Sequence, residues 1–251
     1  MAGVEGRVAL VTGGGRGIGR ACAELLASRG ARVMCVARSE AELEKAGLDY
    51  AIADLGTAEG CVSAIEDTRQ RLGPIEILIC NHGIGSAHEK VVWEQDPEDW
   101  RESMRVNLDG PFHLSRLVLP DMVENRYGRL VFTSSTAAIV AEDAGSAYNS
   151  SKSGLLGLMR SVALDGGPHG ITSNAVLPGW VRTEMAERSA RAEAKSRDIT
   201  PDQVWEERAA LYPAGRVATP EEVAEMIAFL AAEESSGVSG ESIRVALGGV
   251  L

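Results

Sequence analysis

The stretch VALVTGGGRGIGRACAELLASRG, residues 8–30, runs from an apolar segment through a cluster of glycines into an amphipathic one. Val8–Thr12 is too short and too β-branched for a helix and reads as a buried strand. The glycines follow the spacing T-G-x-x-x-G-x-G from Thr12 to Gly19, not G-x-G-x-x-G. Gly13 permits a tight turn off the strand, while Gly17 and Gly19 let the backbone and the helix start approach a pyrophosphate. Glycine also serves ordinary turns. Between a strand and a helix at the head of such a chain, the phosphate cradle is the stronger reading.

Outward from this unit, the same alternation repeats. Short apolar runs at 7–12, 31–37, 75–80, 128–134, 170–177 and 242–247 read as buried strands, with a weaker one at 49–54. Between them lie helix-start signals: a capping box from Ser39 to Glu42, another from Thr219 to Glu222 with Pro220 at the first helical position, and Asp96 as a cap. Strand–helix repetition predicts an α/β fold, a doubly wound parallel sheet of about seven strands with right-handed crossovers and helices on both faces. Such sheets bind ligands beyond the carboxyl ends of their strands. No repeat or linker interrupts residues 1–251, so one domain is expected.

Composition narrows the function. A formal net charge of −11 repels nucleic-acid backbones and anionic lipid. No segment is long and apolar enough to span a membrane, and no export signal is visible, so a cytoplasmic protein is expected. Cys22, Cys35, Cys61 and Cys80 form no C-x-x-C pair and read as buried thiols; His82, His88, His113 and His169 show no ligand spacing, so no metal is expected.

The end of the second strand bears on the nucleotide. NAD sites commonly place an acid there for the ribose 2′-hydroxyl, but this chain has Ala37 and Arg38. Arg38 can hold a 2′-phosphate through its planar fork, with Arg16 and Ser39 in support. NADP(H) is therefore favoured, with NAD(H) the alternative; the bland reading is a solvated arginine.

GSAYNSSKSG, residues 145–154, puts Tyr148 and Lys152 four apart, hence on one face of a helix. Alone, such a pair is usually a solvated contact. With the glycine loop, Asn81–His82–Gly83 and Phe132–Thr133–Ser134–Ser135, the chain resembles the short-chain dehydrogenase/reductase family from Arg7 to Gly249. The resemblance implies a Rossmann-like fold and a hydride-transferring oxidoreductase. It implies Ser135, Tyr148, Lys152 and Asn107 as catalytic residues, with Asn107 holding a water that links Lys152 to solvent. It places Gly13, Gly15, Arg16, Gly17, Ile18, Gly19, Asp54, Leu55, Asn81, Gly83, Tyr148, Lys152, Pro178, Gly179, Val181 and Thr183 against the cofactor. A phenol with an ordinary pKa near 10 is a poor acid–base group at neutral pH, and the Lys152 ammonium is expected to draw it down. A homo-oligomer is implied too, a tetramer ahead of a dimer.

Three departures stand out: His82 where the family usually has alanine, a short second helix, and Leu247 where an acid is usual. Residues 180–216 are charged, helix-prone and long for a connection, and read as a substrate lid. Trp180, Met185, Trp205, Leu211 and Tyr212 are its candidate pocket residues, with a lid-core role favoured for Trp205. Arg182, Arg188, Arg191 and Lys195 could attract an acidic substrate, but Glu184, Glu187 and Glu193 offset them. The expected activity is NADP(H)-dependent interconversion of a ketone, with a 3-oxoacyl compound among the candidates, and a secondary alcohol. Two alternatives are an NAD-dependent alcohol or sugar dehydrogenase and a non-catalytic dinucleotide-binding regulator. Enoyl reductases of the family usually space Tyr and Lys more widely.

Overall fold

The computed structural model describes residues 3–85 and 90–249; His88 lies outside them. Seven strands form one parallel sheet: β1 (Val8–Thr12), β2 (Arg32–Ala37), β3 (Asp49–Ile52), β4 (Ile77–Cys80), β5 (Gly128–Thr133), β6 (Ile171–Pro178) and β7 (Ser242–Val245). Their order is β3-β2-β1-β4-β5-β6-β7. β1, β4, β5 and β6 are buried along their whole length, which is why they appear in sequence as continuous apolar runs and not alternating ones. β3 is an edge strand with Asp49 and Ile52 exposed, and its signal is correspondingly weak.

Both faces are covered. Ala9, Val11, Val33, Cys35, Ile77, Ile79, Val131 and Val176 point to one side. There they meet α1 (Gly17–Ser28) and α9 (Pro220–Ala231). Leu10, Met34, Val36, Leu78, Phe132 and Leu177 point to the other, against α3 (Ala58–Leu72), α5 (Gly110–Asn125) and α6 (Ser146–Gly166). The second helix, α2 (Glu40–Leu43), is a single turn, the truncation expected from the short connection. α4 (Pro97–Met104) precedes α5, and α7 (Glu184–Arg197) and α8 (Pro201–Ala210) fill the long connection after β6.

Helix starts follow their caps. Thr219 and Glu222 form a reciprocal capping box, and Asp96 accepts from the Glu98 N–H at 2.8 Å. Ser39 does not complete the expected box, because Glu42 turns away to pair with Arg16 at 3.0 Å. A box not anticipated joins Thr200 and Gln203 at the start of α8.

From β1 the chain winds outward to β3, then crosses back to β4 on the opposite side of β1. The switch point between β1 and β4 opens a crevice at their carboxyl ends. Thr12–Gly13 and Asn81–Gly83 lie side by side there, joined by hydrogen bonds from Asn81 and His82 to Thr12.

Candidate active site and cofactor cradle

The glycine loop is packed too tightly to carry side chains. Gly13 has a φ of +66°, a left-handed conformation, and a Cβ there would meet Asn81 Nδ2 at 3.0 Å. A Cβ on Gly19 would lie 2.2 Å from the Gly13 carbonyl oxygen. Gly15 lies against α2 and Gly17 against Thr183, where a Cβ would stand 3.2 Å from Cγ2. Ile18 packs on the core under the loop. The Arg16 side chain leaves the first turn of α1 uncapped, and that turn carries no acid. Free N–H groups at a helix start without a competing carboxylate are what a pyrophosphate requires. The cradle therefore fits a dinucleotide.

At the adenosine end, Arg38 is exposed at the tip of β2. Its charge is felt at Asp54 and Glu102, but no ion pair ties its guanidinium among the described residues. Arg16, by contrast, is engaged with Glu42. Ser39, beside Arg38, makes no capping bond. Asp54 accepts from the Gly56 N–H at 3.0 Å and pairs with Arg105 at 3.2 Å. Burial alone would raise its pKa, but these two partners hold it below the usual carboxylate value. The Leu55 side chain is buried in the core.

Four polar side chains converge beside β4, β5 and α6. Ser135, just past β5, accepts from the Ala137 N–H at 3.1 Å and is near enough to the Tyr148 phenol to lower its pKa. Lys152 is 4% exposed; its Nζ donates to the Thr133 carbonyl at 3.0 Å and lies 5.7 Å from the centre of the Tyr148 ring. Asn107 sits in a π-turn, Arg105–Asp109, between α4 and α5. Its Nδ2 donates to the Ile84 carbonyl and Ser151 Oγ, both at 3.0 Å, and its Oδ1 accepts from the Ile84 N–H at 2.8 Å. Gly83 leaves a gap here: a Cβ would lie 3.1 Å from Asn107 Oδ1 and 3.3 Å from Lys152 Nζ.

The electrostatics differ from expectation. Burial pushes the Tyr148 phenol up to about 12, partly countered by Ser135 and reinforced by the charge of Glu142. Burial also depresses Lys152 to about 8. The phenol is thus raised, not lowered, because taking it out of water disfavours its charged form. What results is a firmly protonated phenol beside an ammonium that titrates near neutrality.

Pro178 ends β6, and Val181 is buried and bridged to Ala218. Thr183 caps α7, accepting from the Ala186 N–H at 3.2 Å. Tyr212 is 9% exposed and wedged between Gly179 and Gly249; its oxygen accepts from the Trp180 N–H at 2.6 Å. It therefore braces the segment that follows β6. Trp205 joins the small core of α7 and α8, as favoured, while Met185 and Leu211 are exposed. Leu247 packs on the core with a φ of +49°.

A family model described as enoyl-(acyl carrier protein) reductase matches residues 13–249. The chain is 34% identical over 253 residues to 3-oxoacyl-[acyl-carrier-protein] reductase FabG of Escherichia coli, covering 96% of each chain.

The chain belongs to the short-chain dehydrogenase/reductase family.

It is an oxidoreductase acting on CH–OH and C=O groups. It is also 32% identical over 247 residues to D-beta-hydroxybutyrate dehydrogenase of Cupriavidus necator, covering 94% of this chain and 95% of the relative. Among solved structures, a single-substitution variant of actinorhodin polyketide ketoreductase with NADPH superposes with a TM-score of 0.88 at 30% identity, covering 97% of this chain and 98% of that one. Among the described residues no helix is long and apolar enough to cross a membrane, and no cluster of ligating side chains suits a metal.

The groups that support the site were not legible as such. Thr12 Oγ1, the Thr133 carbonyl, Ile84 and Ser151 Oγ hold the site residues in place; Thr12, Thr133 and Ser151 lie within the motifs, but the partners they hold are distant in sequence. The π-turn did have a signal: Gly110–Pro111 follows Asn107 by three residues, and a proline N removes a donor the α-ladder needs.

Proposed function

We propose that this short-chain oxidoreductase uses NADP(H) to interconvert a ketone and a secondary alcohol. The observation that carries this reading is the convergence of Ser135, Tyr148, Lys152 and Asn107 at the crevice beside the glycine cradle. The bound cofactor supplies or accepts the hydride. In reduction, Ser135 donates a hydrogen bond to the carbonyl oxygen and stabilises its developing charge. Tyr148, protonated up to about 12, gives that oxygen its proton as a general acid. Lys152 stabilises the phenolate left behind and supports its return to the protonated form. Asn107 Oδ1 keeps one lone pair for a water in the gap beside Gly83, linking Lys152 to solvent. Lys152 and Tyr148 also have the placement to meet the nicotinamide ribose, with Pro178, Gly179, Val181 and Thr183 beside the ring.

The four-residue spacing of Tyr148 and Lys152 supports carbonyl over enoyl chemistry. The free guanidinium of Arg38 supports a 2′-phosphate, and so does the NADPH on the ketoreductase of like fold. Residues 180–216 act as a lid in this reading. Met185 and Leu211 on it, with Ile139 and Val140 past Ser135, are exposed and apolar. They suit an uncharged ketone or the acyl part of a 3-oxoacyl compound. Alcohol oxidation with NAD(H) is the second reading, favoured by the similarity to a hydroxybutyrate dehydrogenase.

Titrating the protein with NADPH and NADH by nicotinamide fluorescence tests the choice. Wild type is expected to prefer NADPH by roughly tenfold, about 1.4 kcal/mol, and Arg38→Asp to erase the gap. Equal or tighter NADH binding by wild type would move the second reading to the front.

A further inference from the structure

His82 touches three elements at the crevice, and none of the chemistry above uses it. The Thr12 hydroxyl accepts from two backbone N–H groups, those of Asn81 at 2.9 Å and His82 at 3.1 Å, which occupy both its lone pairs. Its single proton has two acceptors in reach, the Ile79 carbonyl at 3.0 Å and His82 Nδ1 at 2.8 Å. A protonated Nδ1 would find no lone pair left on Thr12. Counting protons makes Nδ1 an acceptor and leaves the hydrogen of the neutral ring on Nε2.

Nε2 is sealed from solvent, has no hydrogen-bond partner among the described residues and lies against Gly110 of the π-turn, with the Val106 carbonyl near enough to raise the ring's pKa. That carbonyl is short of donors. In an α-helix it would accept from Gly110, but the Gly110 N–H donates to Arg105, five residues back. In the π-register it would accept from residue 111, which is proline and has no N–H. Gly110 makes room for the ring: a Cβ there would lie 2.8 Å from Nε2 and 2.3 Å from the Leu55 carbonyl oxygen. The ring is neutral, since burial, with the charge of Lys152, depresses its pKa to about 3.

We propose that His82 is a positioning residue: its imidazole ties Thr12 at the end of β1 to the donor-poor carbonyl of Val106, and so fixes the π-turn that presents Asn107. The residue after Val106 is Asn107 itself, so a shift of this carbonyl moves the amide that clamps Ile84. The catalytic consequence rests on the proposed role of Asn107; the structural one does not.

Nitrogen-15 NMR of histidine-labelled full-length protein reads the tautomer. The expected His82 signal is the Nε2–H form, unchanged from about pH 5 to pH 8. His82→Ala is expected to speed amide exchange across residues 105–112 roughly five- to tenfold, the worth of one buried hydrogen bond. Its kcat on a ketone substrate should fall by a similar factor with KM little changed. His82→Gln, which returns an N–H near the place of Nε2, should restore most of both. An Nδ1–H tautomer, a ring titrating near its ordinary value, or equal behaviour of the Gln and Ala variants would overturn the proposal. If no ketone is turned over even by wild type, the functional reading fails alone, because tautomer and exchange are read without turnover.

Discussion

At the residue scale, the site depends on two groups that burial moves in opposite directions. Tyr148 keeps its proton to about 12, whereas Lys152 gives up its own near 8. Ketone reduction needs a protonated phenol and a nearby positive charge, and only the second is lost in the accessible range. The reduction rate should therefore fall as pH rises through about 8. A kcat profile flat to about pH 10, the ordinary range of a lysine ammonium, would remove Lys152 as the titrating group. Tyr148→Phe deletes the proposed proton donor but keeps the ring, and kcat should drop roughly 10²–10⁴-fold. Cofactor binding by that variant should stay within about fivefold, since a phenol hydrogen bond is worth only about 1 kcal/mol.

At the scale of elements, α7 and α8 form a unit with its own small core of Ala186, Ala190, Ala194, Val204 and Trp205. Arg208 holds it together. It is 5% exposed, lies 3.6 Å from the centre of the Trp180 ring and 5.1 Å from that of Trp205, and donates to Ser189 Oγ at 3.0 Å and Glu193 Oε2 at 2.9 Å. Because Trp180 directly follows Gly179, Arg208 couples the helical pair to the end of β6. Arg208→Ala leaves Glu193 without its buried partner and the Trp180 ring without its cation, while Trp205 keeps Arg182 at 5.0 Å, a local loss of about 2–3 kcal/mol. Amide exchange in α7 and α8 should accelerate while the sheet keeps its protection. KM for a ketone should rise more than Kd for NADPH. Equal loosening of the sheet would instead make Arg208 part of the main core.

At the scale of the molecule, the layer of α4, α5 and α6 leaves large apolar side chains in water. Trp100 is 38% exposed, Phe112 47% and Leu164 78%. Isolated exposed apolar residues are ordinary, but three on neighbouring helices of one layer suit a contact with a second copy. A homo-oligomer, a tetramer ahead of a dimer, is the expected state. Light scattering should give a multiple of the 26.5 kDa chain, and Phe112→Asp with Leu164→Asp should shift the mass downward. A monomeric wild type would leave this face without that role.

Much of this was written locally. The buried strands β1, β4, β5 and β6 were legible because a parallel sheet covered on both faces needs continuous apolar runs. The glycine loop was legible because its turn and close contacts exclude side chains, and the Tyr148–Lys152 pair because helical periodicity puts residues four apart on one face. Ser39 misled, since a capping box is a local preference and the pairing of Glu42 with Arg16 is a contact across 26 residues. Only the tertiary structure could raise the phenol, depress the ammonium, turn Tyr212 into a brace and set His82 between Thr12 and Val106. Those properties come from burial and from backbone groups distant in sequence. Neither leaves a periodic mark on the chain.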